Sequence, residues 1–474
     1  MTILISPDGG ITKHDNRFAG SEANDVFAGG RVIGLSRSGK MVFDRDTFEL
    51  IWRATVGLAL FALVMTALTI KGQAQQTGQG KKERSNSEET NTKASQSDAL
   101  MSPMVDSAVP QATPSPSPTT QTAETKWHYG GFIDAAYLLD FNHPENRVFR
   151  SRGTTWHTDR PHINGAAFYL RKKADEQSRW GAELTAQAGK DVELFGFSAT
   201  APNMSGFKFL RHLGPTNISY LAPVGKGLTI QGGIFSSFIG YDSLYAKDNL
   251  NYTRPWGADF TPYFMMGVNV SYPFTKKVTG TFLVVNGYWH LATANHVPSW
   301  GGQAAISATS HLTVKQTVLV GPHQSNTAFK FWRFLSDTIL EHKTEKRTIA
   351  FEANFSTENV DAPNAARAWW FSAQLPMRWS LNPRWAVAVR PEVAKDTQGR
   401  WTLARQTVVA LTTTLEYKLP YKSSNTIFRL EHRYDHSTGP DGGFFRGRVV
   451  SPGLIGLTPG QHLLIFATIF TLDR

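Results

Sequence analysis

The sequence predicts an all-β protein, a transmembrane antiparallel up-and-down β-barrel of about 16 strands, and three observations carry that reading. Over residues 127–474, stretches of about ten residues alternate polar and apolar. Short and long connections take turns between them. The chain holds one apolar run long enough for a membrane helix, residues 54–70, so a bundle of membrane helices is excluded.

Residues 1–74 read as an N-terminal extension and signal peptide. The apolar run follows Arg53 and is followed by Lys71-Gly72-Gln73-Ala74, whose small residues fit cleavage after Ala74. Met41, with Arg45 and Arg53 behind it, would open a more ordinary signal peptide than Met1 does. Residues 75–125, rich in Gln, Ser, Thr and Pro and without aromatics, cannot bury a core and are expected to form a disordered periplasmic linker. Residues 126–474 are the barrel domain.

Within it, period-two segments fall near 127–141, 163–173, 179–189, 207–221, 228–238, 261–272, 278–290 and 302–310. They continue near 313–321, 328–341, 347–356, 365–379, 384–394, 401–418, 426–436 and 461–472. The even count is what single-chain bacterial barrels require, and boundary shifts admit about 14 to 18. Connections after even-numbered segments are short, as at 174–178 and 419–425, and those after odd-numbered segments include 142–162, 190–206, 239–260 and 437–460. Sandwiches and propellers have no reason to sort loops this way, so the short turns and both termini are expected in the periplasm.

The faces alternate as an aqueous lumen demands. Phe428, Leu430, His432 and Tyr434 share one side, opposite Arg429, Glu431, Arg433 and Asp435, and four charges cannot face lipid. Leu403, Val409, Leu411 and Leu415 likewise oppose Gln406, Thr412, Thr414 and Glu416. Trp127, Tyr129, Trp379, Trp385, Trp401 and Tyr417 lie near strand ends, where aromatic girdles sit.

Composition narrows the function. Cysteine is absent, which removes disulfides and thiolate metal sites. The excess of 49 Lys and Arg over 38 Asp and Glu never clusters on a helix or a short basic run, so no nucleic-acid partner is expected. No nucleophile elbow, zinc helix or phosphate loop occurs, and the chain is expected to be no enzyme, with no cofactor, catalytic residue or metal. His432 and His436, four apart on a strand, are about 13 Å apart and cannot share an ion. His157, His162 and Asp159 share one long loop and offer at most a weak surface site.

Four stretches resemble the outer-membrane beta-barrel porins called OmpL-like, a Gram-negative family: Gly232-Gly233-Ile234-Phe235-Ser236-Ser237-Phe238-Ile239-Gly240-Tyr241, Asn251-Tyr252-Thr253-Arg254-Pro255, Val285-Asn286-Gly287-Tyr288-Trp289 and Arg429-Leu430-Glu431-His432-Arg433-Tyr434-Asp435-His436-Ser437. Their order and spacing span nearly all of 127–474. The resemblance implies a barrel in the outer membrane of a Gram-negative bacterium, surrounded by outer-membrane lipid and engaged in passive transport. One departure is the C-terminus, where Phe470 is followed by Thr471-Leu472-Asp473-Arg474 although such barrels usually end on an aromatic residue read by the barrel assembly machinery.

The expected function is passive diffusion of small hydrophilic solutes or ions, and the competing class is a non-transporting barrel acting as adhesin or structural anchor. Candidate pore-lining residues are Arg378, Arg390, Glu392, Arg429, Glu431, Arg433 and Asp435, whose charges favour anions weakly. Their bland alternative is mutual pairing that steadies the sheet. The candidate constriction is the third long loop, 239–260, with Asp242, Lys247, Asp248, Arg254 and Asp259. The sequence names no solute and admits a homo-oligomer.

Overall fold

The computed structural model describes residues 127–193, 207–288, 291, 295–322, 331–359, 367–451 and 454–474. The expected leader and linker, 1–125, lie outside the described residues. In chain order the strands are β1 (His128–Asp140), β2 (Pro161–Lys172), β3 (Trp180–Ala188), β4 (Thr216–Ala222), β5 (Leu228–Ser236), β6 (Phe264–Pro273), β7 (Val278–Val285), β8 (Ser299–Ser307), β9 (Leu312–Pro322) and β10 (Trp332–Lys343). They continue with β11 (Arg347–Glu358), β12 (Ala368–Gln374), β13 (Met377–Ser380), β14 (Trp385–Asp396), β15 (Gln406–Tyr421), β16 (Ser424–Thr438), β17 (Phe444–Ser451), β18 (Leu454–Thr458) and β19 (Gly460–Asp473).

Each wall strand pairs antiparallel with its sequence neighbours, and β1 pairs with both β2 and β19, so the sheet closes on itself. Pro376 has no N–H to give the ladder, and beside it one strand splits into β12 and β13, which share β11 and β14 as neighbours. Seventeen segments therefore make a closed barrel of 16 staves. Each stave corresponds to one of the predicted segments. The first strand begins where the last one ends, at the end of the short turns, with Tyr129 N donating to Arg474 O at 2.8 Å.

Two strand starts differ most from the sequence reading, and one loop holds an added hairpin. The segment at 207–221 begins its strand only at Thr216, because Phe207–Leu210 winds into a helical turn before Gly214-Pro215. That near 401–418 begins at Gln406: Leu403 has φ +57° and is exposed, and Asp396 accepts from the backbone N–H of Arg400, Trp401 and Thr402 at 2.8–2.9 Å, which fixes a loop. The last long loop carries an unforeseen hairpin, β17 with β18.

Burial along β16 alternates residue by residue from Ile427 to Asp435, with Phe428, Leu430, His432 and Tyr434 outward. Aromatics band the turn end, where Trp385 lies 4.7 Å from Tyr417 and Trp180 lies 4.7 Å from Tyr220 between ring centroids. Trp401 departs from the girdle expectation; it packs inside on Trp370 and Tyr288, at 5.7 and 5.9 Å.

The polar-inward rule also has limits. Leu463, Ile465 and Ile469 of β19 face inward and are fully buried, as are Leu138 of β1 and Leu283 of β7. Apolar side chains can face the lumen only where something dry covers them. That cover is the loop from β5 to β6.

Candidate functional site

Residues 239–260 leave β5 through Gly240, whose φ of +88° turns the chain into the barrel. Two single-turn 3₁₀ segments, Ala246–Asp248 and Gly257–Phe260, keep the loop compact. A loop buried in a lumen needs partners for its backbone, since water is gone. Here the wall supplies charged ones.

Wall carboxylates take the loop's N–H groups. Glu431 accepts from Tyr252 N at 2.5 Å, Thr253 N at 2.9 Å and Thr253 Oγ1 at 2.5 Å. Glu392 accepts from Trp256 N at 2.5 Å, Asp435 from Trp256 Nε1 at 2.8 Å and Asp337 from Gly240 N at 2.9 Å. Wall guanidiniums take its carbonyls: Arg429 holds Ala246 O and Asn249 O at 2.7 and 2.8 Å, Arg390 holds Thr253 O at 2.6 Å, and Arg433 holds Arg254 O at 2.9 Å. Further pairs lie within the wall, where Arg433 meets Glu392 at 3.0 Å and Asp435 at 2.9 Å, and Arg429 meets Glu416 at 2.8 Å.

Six of the seven candidate lining residues, Arg390, Glu392, Arg429, Glu431, Arg433 and Asp435, therefore sit beneath the loop, each no more than 6 % exposed. Arg378 alone keeps partial exposure, 29 % of its side chain, while pairing with Glu416 at 2.5 Å. A buried, internally neutralised cluster presents little net charge to a solute. Glu352 is likewise dry, accepting from Gln374 Nε2 at 2.5 Å.

The loop's own charged side chains have partners too. Lys247 meets Asp248 at 2.7 Å, and Asp242 accepts from Gln374 Nε2 at 2.7 Å. Arg254 pairs with Asp191 at 3.0 Å and donates to Leu244 O; Asp259 pairs with Arg152 at 3.1 Å and accepts from Gly153 N at 3.0 Å. Burial pushes the carboxyls of Asp242 and Asp248 above the ordinary aspartate range. Arg152 and Asp191 bring the first two long loops onto the third. Nothing local in the sequence marked either, because their partners are 107 and 63 positions away by residue number.

Apolar contacts complete the fit. Tyr252 and Trp256, both fully buried, pack with Phe149, Phe444, Leu463 and Ile465. A second cluster joins Phe238 and Ile239 to Phe235, Leu283, Leu319 and Leu335. Beside it lies a small cleft of about 60 Å³, lined among others by Ser236, Tyr241, Asp242, Gln303 and Lys315.

The histidines of the first long loop do another job. His157 and His162 stack at 4.3 Å, and burial holds His157 down to about 4. Asp159 turns instead to Asp140 N at 3.0 Å. Among the described residues no group of three metal-binding side chains gathers.

A closed antiparallel sheet with an apolar exterior, an aromatic band and an inward-folded loop defines a transmembrane barrel of porin type. A family model described as "Putative beta-barrel porin-2, OmpL-like" matches residues 126–472, and the chain belongs to that family. It is an outer-membrane barrel of a Gram-negative bacterium. Among solved structures, the outer membrane channel DcaP of Acinetobacter baumannii is 8 % identical with a TM-score of 0.45, over 74 % of this chain and 96 % of that one. The anion-selective porin from Comamonas acidovorans is 9 % identical with a TM-score of 0.45, over 74 % of this chain and 100 % of that one. OprB of Pseudomonas putida is 10 % identical with a TM-score of 0.43, over 74 % and 94 %. No curated protein sequence matches the chain.

Proposed function

We propose that the barrel is a channel for passive diffusion of small hydrophilic solutes or ions, with loop 239–260 as its constriction and conductance-setting element. The observation that carries this is the grip of wall charges on the loop backbone, Glu431 on Tyr252 and Thr253 and Arg429 on Ala246 and Asn249. A structural anchor needs no loop bound charge by charge across its lumen. The second reading, a non-transporting adhesin or anchor, draws on the dryness of the loop-side lumen, where Thr317, Leu335 and Asp337 are as buried as Arg433. Single-channel recording of the purified protein separates the two: small, resolved current steps are expected, and a silent bilayer with correctly folded protein would favour the anchor.

The wall cluster is neutralised and Arg378 is paired with Glu416, so we assign selectivity to inward charges nearer the turn end, among them Lys315 and Lys418. A modest anion preference is the expected reversal potential across a KCl gradient. Changing Lys315 and Lys418 to Gln should shift it toward zero, whereas Arg433→Ser should act on loop order more than on selectivity. Cation selectivity in the parent would refute this assignment.

Orientation follows the loop lengths. With a cysteine at position 176 or 441, a membrane-impermeant thiol reagent on intact cells is expected to label 441 and spare 176; the reverse pattern would invert the topology.

A further inference from the structure

The short-turn rim repeats one chemical pair. Four of the seven turns, 223–227, 274–277, 381–384 and 422–423, contain five cations, Lys226, Lys276, Lys277, Arg384 and Lys422, and no Asp or Glu. All five side chains are exposed. Beside them stand large apolar side chains that are also exposed: Val224 at 56 %, Phe274 at 59 %, Leu381 at 63 % and Tyr421 at 67 %. The four turns form two arcs. Lys226 Nζ donates to Phe274 O at 2.5 Å and so ties the first pair, and Lys418 N donates to Arg384 O at 2.7 Å in the strand joining the second pair.

Above each arc runs the aromatic band, where Tyr272 lies 5.2 Å from Phe274 of the turn and Trp385 lies 4.7 Å from Tyr417. This order, aromatic ring, then exposed apolar side chain, then cation, follows the polarity of a lipid monolayer from acyl chain to phosphate. A soluble anion would need the cations and not the apolar side chains. A neutral glycan would need neither.

We propose that these two arcs bind the headgroups of anionic phospholipids, with Val224, Phe274, Leu381 and Tyr421 seated at the acyl boundary and the five cations on the phosphates. The bound lipids pin the barrel's depth at its turn end. The proposal is independent of what the lumen transports.

The test uses the complete barrel in lipid nanodiscs of mixed phosphatidylcholine and phosphatidylglycerol, with spin-labelled lipid of each kind reporting the motionally restricted fraction. Phosphatidylglycerol should associate about fivefold more strongly than phosphatidylcholine, a preference that weakens as salt is raised. Replacing all five cations with Gln should bring the ratio close to one, in a protein whose heat-modifiable gel shift shows an intact barrel. A second variant, Val224→Ser with Phe274→Ser and Leu381→Ser, keeps the charges and should lose part of the preference. Equal association of the two lipids with the parent, or a preference that survives loss of the five cations, would overturn the proposal. So would displacement of labelled phosphatidylglycerol by inorganic phosphate, which would make the rim a site for soluble anions.

Discussion

Deleting residues 244–253 raises single-channel conductance severalfold while the barrel still folds; this is the largest functional change expected of the protein. A wall of 16 strands encloses more space than its own inward side chains fill, so what remains depends on what enters it. The deletion removes the loop donors of Glu431 and the carbonyls that occupy Arg429, and with Tyr252 it removes the hydroxyl that reaches Asp134 at 2.7 Å. Wall charges then meet water in place of peptide groups. No ladder hydrogen bond is touched, since β5 ends at Ser236 and β6 begins at Phe264. A milder variant acts at the other foot of the loop: any Cβ at Gly257 would overlap Ser372 Oγ, so Gly257→Val should unseat the loop partly and give intermediate conductance. Unchanged conductance from a heat-modifiable, correctly inserted deletion variant would remove the loop as constriction and leave wall charges as the only candidates.

The barrel was legible because its rules are periodic and local. Lipid on one side and enclosed space on the other impose alternation, as from Ile427 to Asp435, and hairpin closure imposes the sorting of connections. The places where the reading slipped are non-periodic. Leu403 takes a left-handed conformation that no alternation rule senses, and Phe207–Leu210 turns helical ahead of Pro215. The hairpin of β17 and β18 sits in a loop whose length alone had been read. At the candidate site the inward direction of Arg429, Glu431, Arg433 and Asp435 follows from sequence, but their partners do not. Contacts such as Tyr252 with Glu431 join residues 179 apart, and only the closed sheet brings them together. Leu463, Ile465 and Ile469, inward apolar positions that water would not tolerate, show a dry interior that the alternation rule alone does not disclose.

Arg433→Met is expected to destabilise the barrel more than any other single lumen substitution. Its guanidinium is fully buried between Glu392 at 3.0 Å and Asp435 at 2.9 Å, and it also bonds Arg254 O at 2.9 Å and Thr253 Oγ1 at 3.2 Å. Methionine fills much of the volume but leaves Asp435 without a cation in a dry site and Glu392 with Arg390 alone, a loss of about 3–5 kcal/mol. Equilibrium unfolding in urea, followed by tryptophan fluorescence in micelles, measures it. Arg405→Gln is the control, because its pair with Asp441 is exposed and should contribute nothing measurable. The double change Arg433→Met, Asp435→Asn removes the orphaned charge along with the cation and leaves Glu392 paired with Arg390 at 3.3 Å, so it should recover most of the stability, since buried ion pairs stabilise less than their removal suggests. It should not recover the quiet channel. Trp256 Nε1 loses its charged acceptor, so the loop stays loosely seated and the current through the double variant should be larger and noisier than the parent's. Recovery of both stability and parental conductance would mean that the charges steady the sheet and that packing of Tyr252 and Trp256 alone holds the loop.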